Sequence, residues 1–307
     1  MAFTAQDVKS LREKTGCGMM DCKKALTEAN GDMDAAIDIL REQGLAKVAK
    51  KAGRIAAEGI AYAATNAEGT VGVVIEVNAE TDFVAKNADF QNFVKTLADT
   101  VIAENPADVD ALAQTKAVGT EVTVAELLQE KIQTIGENIK IRRFERFEGA
   151  SVAYVHAGGK IGVLVNFETD IDAASAEFIA YGKDVAMQIA ALNTQYLDES
   201  DVPAEVLEHE KEIMVAQMKQ DPKMANKPEQ VLAKIVEGKV GKFYKENCLV
   251  DQEFVKDNSK TVGSYTAETA KALGGSIKIK KFVRFEKGEG LEKRQDDFAA
   301  EVASMVK

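Results

Sequence analysis

The sequence predicts an α+β protein, a helical N-terminal module followed by a duplicated core of small antiparallel sheets, and three observations predict it. Residues 58–103 and 151–192 repeat one order of elements: strand, turn, strand, amphipathic helix. Each unit is then completed by a matching strand, Ile139-Lys140-Ile141-Arg142-Arg143-Phe144 in one and Ile277-Lys278-Ile279-Lys280-Lys281-Phe282 in the other. Ahead of both, the first 45 or so residues carry apolar side chains at helical spacing, interrupted by glycine.

In the N-terminal segment, Thr4 with Asp7 three residues on has the pattern of a capping box. Val8 and Leu11 face inward until Thr15-Gly16-Cys17-Gly18 breaks the period. A second helix turns Cys22, Ala25 and Leu26 inward and stops at Asn30-Gly31. Asp32 caps a third, bearing Ala36, Ile37 and Leu40 and ending at Gly44. Lys47, Lys50, Lys51 and Arg54 follow on a connecting helix, as either a solvated face or a binding patch.

In the core, Val71-Gly72-Val73-Val74-Ile75 corresponds closely to Ile161-Gly162-Val163-Leu164-Val165. The helix of the first unit carries Phe90, Phe93, Val94 and Leu97 at 3.6-residue spacing. The second unit holds about 80 residues between its helix and its last strand, far more than a compact connection needs. Val206, Leu207, Ile213, Met214 and Met218, then Val231, Leu232, Ile235 and Val236, with Asp221-Pro222 and Lys227-Pro228 between, predict a protruding helical hairpin near 196–240. Its apolar stripe packs on its own body or joins a second copy as a homodimer. The expected division is 1–54, 55–150, 151–286 and 287–307.

Composition narrows the function. The 307 residues include 39 Lys and Arg against 50 Asp and Glu, a net charge of -11 that repels a phosphate backbone, so direct nucleic-acid binding is not expected. No apolar run reaches a membrane span and the first residues lack a signal-peptide pattern, so a cytoplasmic protein is expected. Cys17, Cys22 and Cys248 fit neither a disulfide framework nor a zinc site. No Gly-Lys pair is followed by Ser or Thr, which excludes a P-loop. His209-Glu210 lacks a histidine at position 213, where Ile213 stands, and a Cys22–His156 nucleophile and base have nothing to bring them together. Neither metal, cofactor nor enzymatic bond-making is expected.

Longer motifs carry more. Thr15-Gly16-Cys17-Gly18-Met19-Met20-Asp21-Cys22-Lys23-Lys24-Ala25-Leu26 resembles the N-terminal signature of the elongation factor Ts family, and Glu80-Thr81-Asp82-Phe83-Val84-Ala85-Lys86-Asn87 its central one. His156-Ala157-Gly158-Gly159-Lys160-Ile161-Gly162-Val163-Leu164-Val165 and the tail Phe285-Glu286-Lys287-Gly288-Glu289-Gly290-Leu291-Glu292-Lys293 also match, so the resemblance spans the chain. Cys17 and Ala79 depart from the usual alanine and cysteine without changing charge.

The resemblance implies a ubiquitin-associated-like helical module, a duplicated core with a hairpin and a short C-terminal helical module. It also implies a partner, elongation factor Tu in its GDP-bound and nucleotide-free states, and a role in translation elongation as a guanine nucleotide exchange factor. On this resemblance Thr81, Asp82, Phe83 and Val84 disturb the partner's Mg²⁺ site. Leu11, Arg12, Thr15, Gly16, Met19, Met20 and Lys23 dock the N-terminal module, and His156, Gly158 and Gly159 press on the partner's G domain. From the residues alone, Asp82-Phe83 reads as a helix cap with a phenylalanine on the core, His156 as a plain surface residue and Met20 as either core or surface. A non-catalytic scaffold that binds through its helical module is the alternative function.

Overall fold

The computed structural model describes residues 3–15, 17–220 and 227–292, with residues 45–47, 49, 229 and 233 described by their backbone only. Three helices open the chain: α1 (Ala5–Thr15), α2 (Met19–Glu28) and α3 (Met33–Lys51). The Thr4 and Asp7 box forms as expected, Asp7 Oδ2 accepting from the Thr4 N–H at 2.7 Å and Thr4 Oγ1 from the Asp7 N–H at 3.3 Å. Val8, Leu11, Cys22, Ala25, Leu26, Ala36 and Leu40 make one buried cluster. The Asp32 carboxylate accepts from the Ala35 N–H at 2.9 Å and starts α3.

Helix α3 corrects one expectation. It does not end at Gly44 but runs on to Lys51, absorbing the connecting helix. Gly44 sits in its interior because a Cβ there would overlap the Gln133 side chain of a later helix, so the glycine serves close helix approach rather than a C-cap. Of the basic stretch, Lys51 donates to the Ile132 carbonyl at 3.3 Å and Arg54 faces Glu80 at 3.4 Å, while Lys50 is exposed.

The first repeat comprises β1 (Glu58–Thr65), β2 (Val71–Ala79), α4 (Asp82–Ala85), α5 (Ala88–Glu104), α6 (Val109–Gln114), α7 (Val124–Ile135) and β3 (Lys140–Glu148). The second comprises β4 (Ser151–His156), β5 (Ile161–Thr169), α8 (Ala176–Leu192), α9 (Ala204–Gln220), α10 (Glu229–Asn247), β6 (Glu253–Phe254), β7 (Asp257–Thr261), α11 (Val262–Ala272) and β8 (Ile277–Glu286). The sheets run β1-β2-β3 and β4-β5-β8, all antiparallel, and each carries one register shift at the same point of its central strand, Glu76/Val77 and Asn166/Phe167.

Each sheet packs on its own helices. In the first repeat Ile75 and Val77 meet Phe90, Phe93 and Leu97, with α6 and α7 adding Leu112 and Ile132. In the second, Val163 and Val165 meet Phe178, Tyr181, Val185 and Ile189. The opposite faces meet each other through Ala61, Ala63, Val74, Phe147, Leu164 and Phe285. The approach is close because both sheets place glycine at the same position. A Cβ on Gly72 would lie 2.5 Å from Leu164 Cδ1, and one on Gly162 would lie 3.0 Å from Val74 Cγ2.

The expected hairpin forms as α9 against α10, closed by Met218, Val236 and Val240 with Leu207, Met214, Leu232 and Ile235. Ile213 and Val231 point outward instead. Asp221-Pro222 lies outside the described residues, as do Gly16 and positions 293–307 of the expected C-terminal module.

Candidate partner-binding site

The loop after β2 is anchored at both ends and open in the middle. Val84 and Ala85 are buried in the first-repeat core, next to residues of α5. On the other side Glu80 Oε1 accepts from the Asn138 N–H at 2.6 Å, and the Asn138 amide donates to the Arg54 carbonyl at 2.7 Å. Thr81 is held twice by Glu137: its N–H donates to Oε2 at 3.0 Å and its hydroxyl to Oε1 at 2.7 Å. Between these anchors Phe83 is 77% exposed, so it does not pack on the core as the residue pattern suggests.

Asp82 likewise caps nothing with its side chain. It is the first residue of α4 and pairs with Lys86 at 2.9 Å, one turn on. The Lys86 hydrogen bond and charge, with a smaller pull from Lys287, hold the Asp82 carboxyl below the ordinary aspartate value. Asp82 is therefore anionic at neutral pH, beside an exposed aromatic ring over which the Lys86 ammonium lies, 5.8 Å from the ring centre.

Lys287 connects this loop to the second predicted region. Its N–H donates to the Lys160 carbonyl at 2.9 Å, in the turn that follows His156, and its ammonium pairs with Glu58. In that turn Gly158 and Gly159 both have positive φ, and the Gly159 carbonyl accepts from the Ala61 N–H at 2.8 Å across the seam between repeats. A side chain on Gly159 would press on Ile60. His156 is half-buried at the end of β4, and its Nδ1 lies 3.0 Å from the Tyr154 hydroxyl.

On the N-terminal module Met19 is 48% and Met20 62% exposed, which settles Met20 as surface; Arg12 and Lys23 are exposed beside them. Leu11 is fully enclosed and Thr15 is half-buried, its hydroxyl donating to the Leu11 carbonyl at 2.7 Å. Leu11 and Thr15 thus belong to the module's interior rather than its open surface. Val84 is likewise buried in the first-repeat core, and Thr81 holds the loop's stem.

Nothing in the pattern marked Glu76 for attention. This fully buried carboxylate accepts from Arg142 at 2.9 Å, Arg143 at 2.7 Å, Asn78 at 3.1 Å and the Gly288 N–H at 2.7 Å, tying the segment after β8 to the first repeat. Burial pushes its carboxyl up, but those four donors together outweigh it and the net shift is downward. Glu137 was missed as well; its readable signal is Gly136 just after an apolar period that opens with Thr123 and Glu126, a capping box.

The thiols are interior groups. Burial raises Cys22, which lies in the helical cluster remote in the fold from the end of β4, and pushes Cys248 up to about 12. Among the described residues no three His, Cys, Asp or Glu side chains gather as a metal-ligand set, and no helix is long and apolar enough to cross a membrane.

Known proteins resemble this chain along its whole length. The family model described as elongation factor TS matches residues 80–289. The elongation factor Ts of Trichlorobacter lovleyi is 52% identical over 99% of this chain and 98% of its own. That of Syntrophotalea carbinolica is 49% identical over the full length of both, and that of Clostridioides difficile 48% over 99% of each. These matches place the chain among translation elongation factors. It belongs to the elongation factor Ts family.

Proposed function

We propose that the chain is a guanine nucleotide exchange factor for elongation factor Tu and makes or breaks no covalent bond itself. The observation that carries this reading is Phe83, a large apolar ring held out in solvent at the tip of a doubly anchored loop. Leaving it there forgoes about 2 kcal/mol of burial, a cost that a partner pocket recovers.

In this reading Phe83 wedges between helices of the partner's G domain close to its Mg²⁺ site. Asp82, anionic beside it, competes for the water and side-chain donors around the ion. Mg²⁺ requires near-octahedral oxygen geometry and bridges phosphate to protein, so a small displacement of its shell weakens phosphate binding. The turn at His156, Gly158 and Gly159 forms a second contact, joined to the first through Lys287. Met19 and Met20, with Arg12 and Lys23, make a third and adaptable one.

Factor and nucleotide then weaken each other's binding reciprocally, so exchange is faster in both directions and nucleotide concentrations set its outcome. The test is stopped-flow release of a fluorescent GDP analogue from purified elongation factor Tu. Acceleration by the parent chain that Phe83→Ala and Asp82→Ala each blunt supports the reading. Tight binding without acceleration would replace it with the scaffold function.

A further inference from the structure

We infer that Glu137 is a positioning residue for the exchange step, an inference that rests on the reading above: it holds the Asp82-Phe83 tip in its working orientation without touching the partner. Both carboxylate oxygens of Glu137 are spent on Thr81, one on its N–H and one on its hydroxyl. That grip sits one residue before Asp82 and two before an exposed ring that nothing else in the first-repeat core holds. The neighbouring Glu80 bond to the Asn138 N–H anchors the start of the loop and buried Val84 and Ala85 its far side, so the Glu137 grip on Thr81 is what fixes the stretch between them that leads into Asp82 and Phe83.

The second repeat shows what the grip is for. Its equivalent loop also has the first anchor, Asp170 Oδ1 accepting from the Ser276 N–H at 2.6 Å. It replaces the second: Ile171 stands where Thr81 does and Gly275 where Glu137 does, and the Ile171 N–H donates to the Thr169 hydroxyl of its own segment at 3.0 Å rather than to a carboxylate from across the sheet. The loop there is two residues shorter and displays no aromatic ring, and Ala173 is buried. The Glu137–Thr81 pair therefore accompanies the projecting tip and is dispensable to the shared fold.

Position explains how Glu137 is itself held. Gly136 ends α7 with φ 88°, which turns Glu137 back toward the loop. Helix α7 also carries the N-terminal module, through Gln133 against Gly44 and Cys17 and through Gln129 to the Arg41 carbonyl at 3.4 Å. One helix thus bears on both the N-terminal module and, through Glu137 just after it, the loop that carries Phe83.

The experiment is a double-mutant cycle on GDP release with Glu137→Ala, Phe83→Ala and both, using elongation factor Tu loaded with a fluorescent GDP analogue. Losing two charge-assisted hydrogen bonds to the loop lowers the maximal release rate about tenfold in the otherwise unchanged chain, with a smaller change in half-saturation. In the Phe83→Ala background the same change costs less than about twofold, because the ring it positions is gone. Equal losses in both backgrounds, or a full maximal rate for Glu137→Ala, would overturn the inference.

A second readout does not depend on exchange: amide hydrogen exchange at residues 81–86 of the free chain speeds up in Glu137→Ala and is restored toward the parent in Glu137→Gln. Unchanged protection in Glu137→Ala refutes the positioning role. A parent chain that fails to accelerate GDP release, with loop protection responding as stated, refutes the exchange reading alone.

Discussion

The two repeats share their framework and differ in what it displays. Both bend their central strand at the same place, and both set glycine against the other's branched side chain, Gly72 on Leu164 and Gly162 on Val74. Arg143 stacks over Phe285 at 4.1 Å while Lys281 stacks over Phe147 at 4.0 Å, so each third strand covers the other's aromatic ring. Helices α5 and α8 have the same length and end alike in a left-handed asparagine, Asn105 and Asn193. The packing of an approximate two-fold pair is kept on both sides.

The differences fall at two places. After the central strand, the first repeat projects Phe83 where the second buries Ala173. At the bend itself, Glu76 in the first repeat corresponds to Asn166 in the second. Both reach the chain leaving the other repeat's third strand, but Glu76 accepts from the Gly288 N–H whereas Asn166 donates to the Glu148 and Ala150 carbonyls at 2.9 and 3.2 Å. A carboxylate needs donors and an amide can supply them, so the two positions do not exchange. The seam is common to both copies, and the proposed exchange site lies where the copies do not match.

The largest effect expected from breaking this comparison is at Glu76. Glu76→Ala leaves Arg142 and Arg143 beside an empty buried site and costs about 3 kcal/mol by denaturant unfolding. Asn166→Asp turns a carboxylate on two carbonyls and costs about 2 kcal/mol. The pH dependence follows from the sign of the shift. Glu76 has a folded-state value below its ordinary one, so its stabilisation is complete above the ordinary glutamate range and fades as pH falls below about 4.3 toward the folded value. Glu76→Gln removes that part of the acid slope, which a series of unfolding curves from pH 6 downward (~0.5 unit steps) reads directly.

Next comes the displayed ring. Phe83→Ala loses about 2 kcal/mol of interaction with the partner, roughly 30-fold in stimulated GDP release, while the midpoint of thermal unfolding stays near the parent value because the ring is exposed and has only the Lys86 ammonium over it, 5.8 Å from its centre. Ala173→Asp in the second repeat behaves oppositely: it destabilises the fold and leaves partner recognition intact in the fraction that folds.

Gly72→Ala and Gly162→Ala sharpen the two-fold relation, each costing about 1–3 kcal/mol, and a marked inequality between them would show that only one sheet carries the close approach. The smallest effect is at Lys86. Lys86→Ala removes an exposed pair, so unfolding is unchanged, and the Asp82 carboxyl titrates closer to its ordinary value by NMR.

Much of this was legible in the sequence for definite reasons. Strand and helix periods differ, and the repeat doubles the signal, so β1, β2, β4, β5 and both third strands can be read from their apolar pattern. Gly44 misleads because a helix-ending glycine and a close-contact glycine look the same without the partner helix. Helices α6 and α7 are short and lie outside the repeated order of strand, turn, strand and helix, although Thr123 and Glu126 form a readable capping box, and β7, Asp257-Asn258-Ser259-Lys260-Thr261, has no apolar alternation at all.

In the site, the signature located the loop but not its exposure. A phenylalanine in a loop ordinarily packs inward, and only the two anchors around Thr81 and Val84 leave Phe83 outside. Leu11 and Val84 show the reverse, motif residues that are buried in the cores of their own modules. Glu76 is illegible because its donors come from three separate elements, β2, β3 and the segment after β8.

The most direct test replaces residues 81–86 of the first repeat with Ile-Asp-Ala-Ala, the second repeat's own loop at 171–174, and measures stopped-flow GDP release from elongation factor Tu alongside thermal unfolding. A chimera that still folds cooperatively, with a lower unfolding midpoint because buried Val84 and Ala85 are gone, but releases GDP no faster than elongation factor Tu alone is the predicted result. A folded chimera that accelerates release as the parent does would show that the function does not lie in the difference between the repeats.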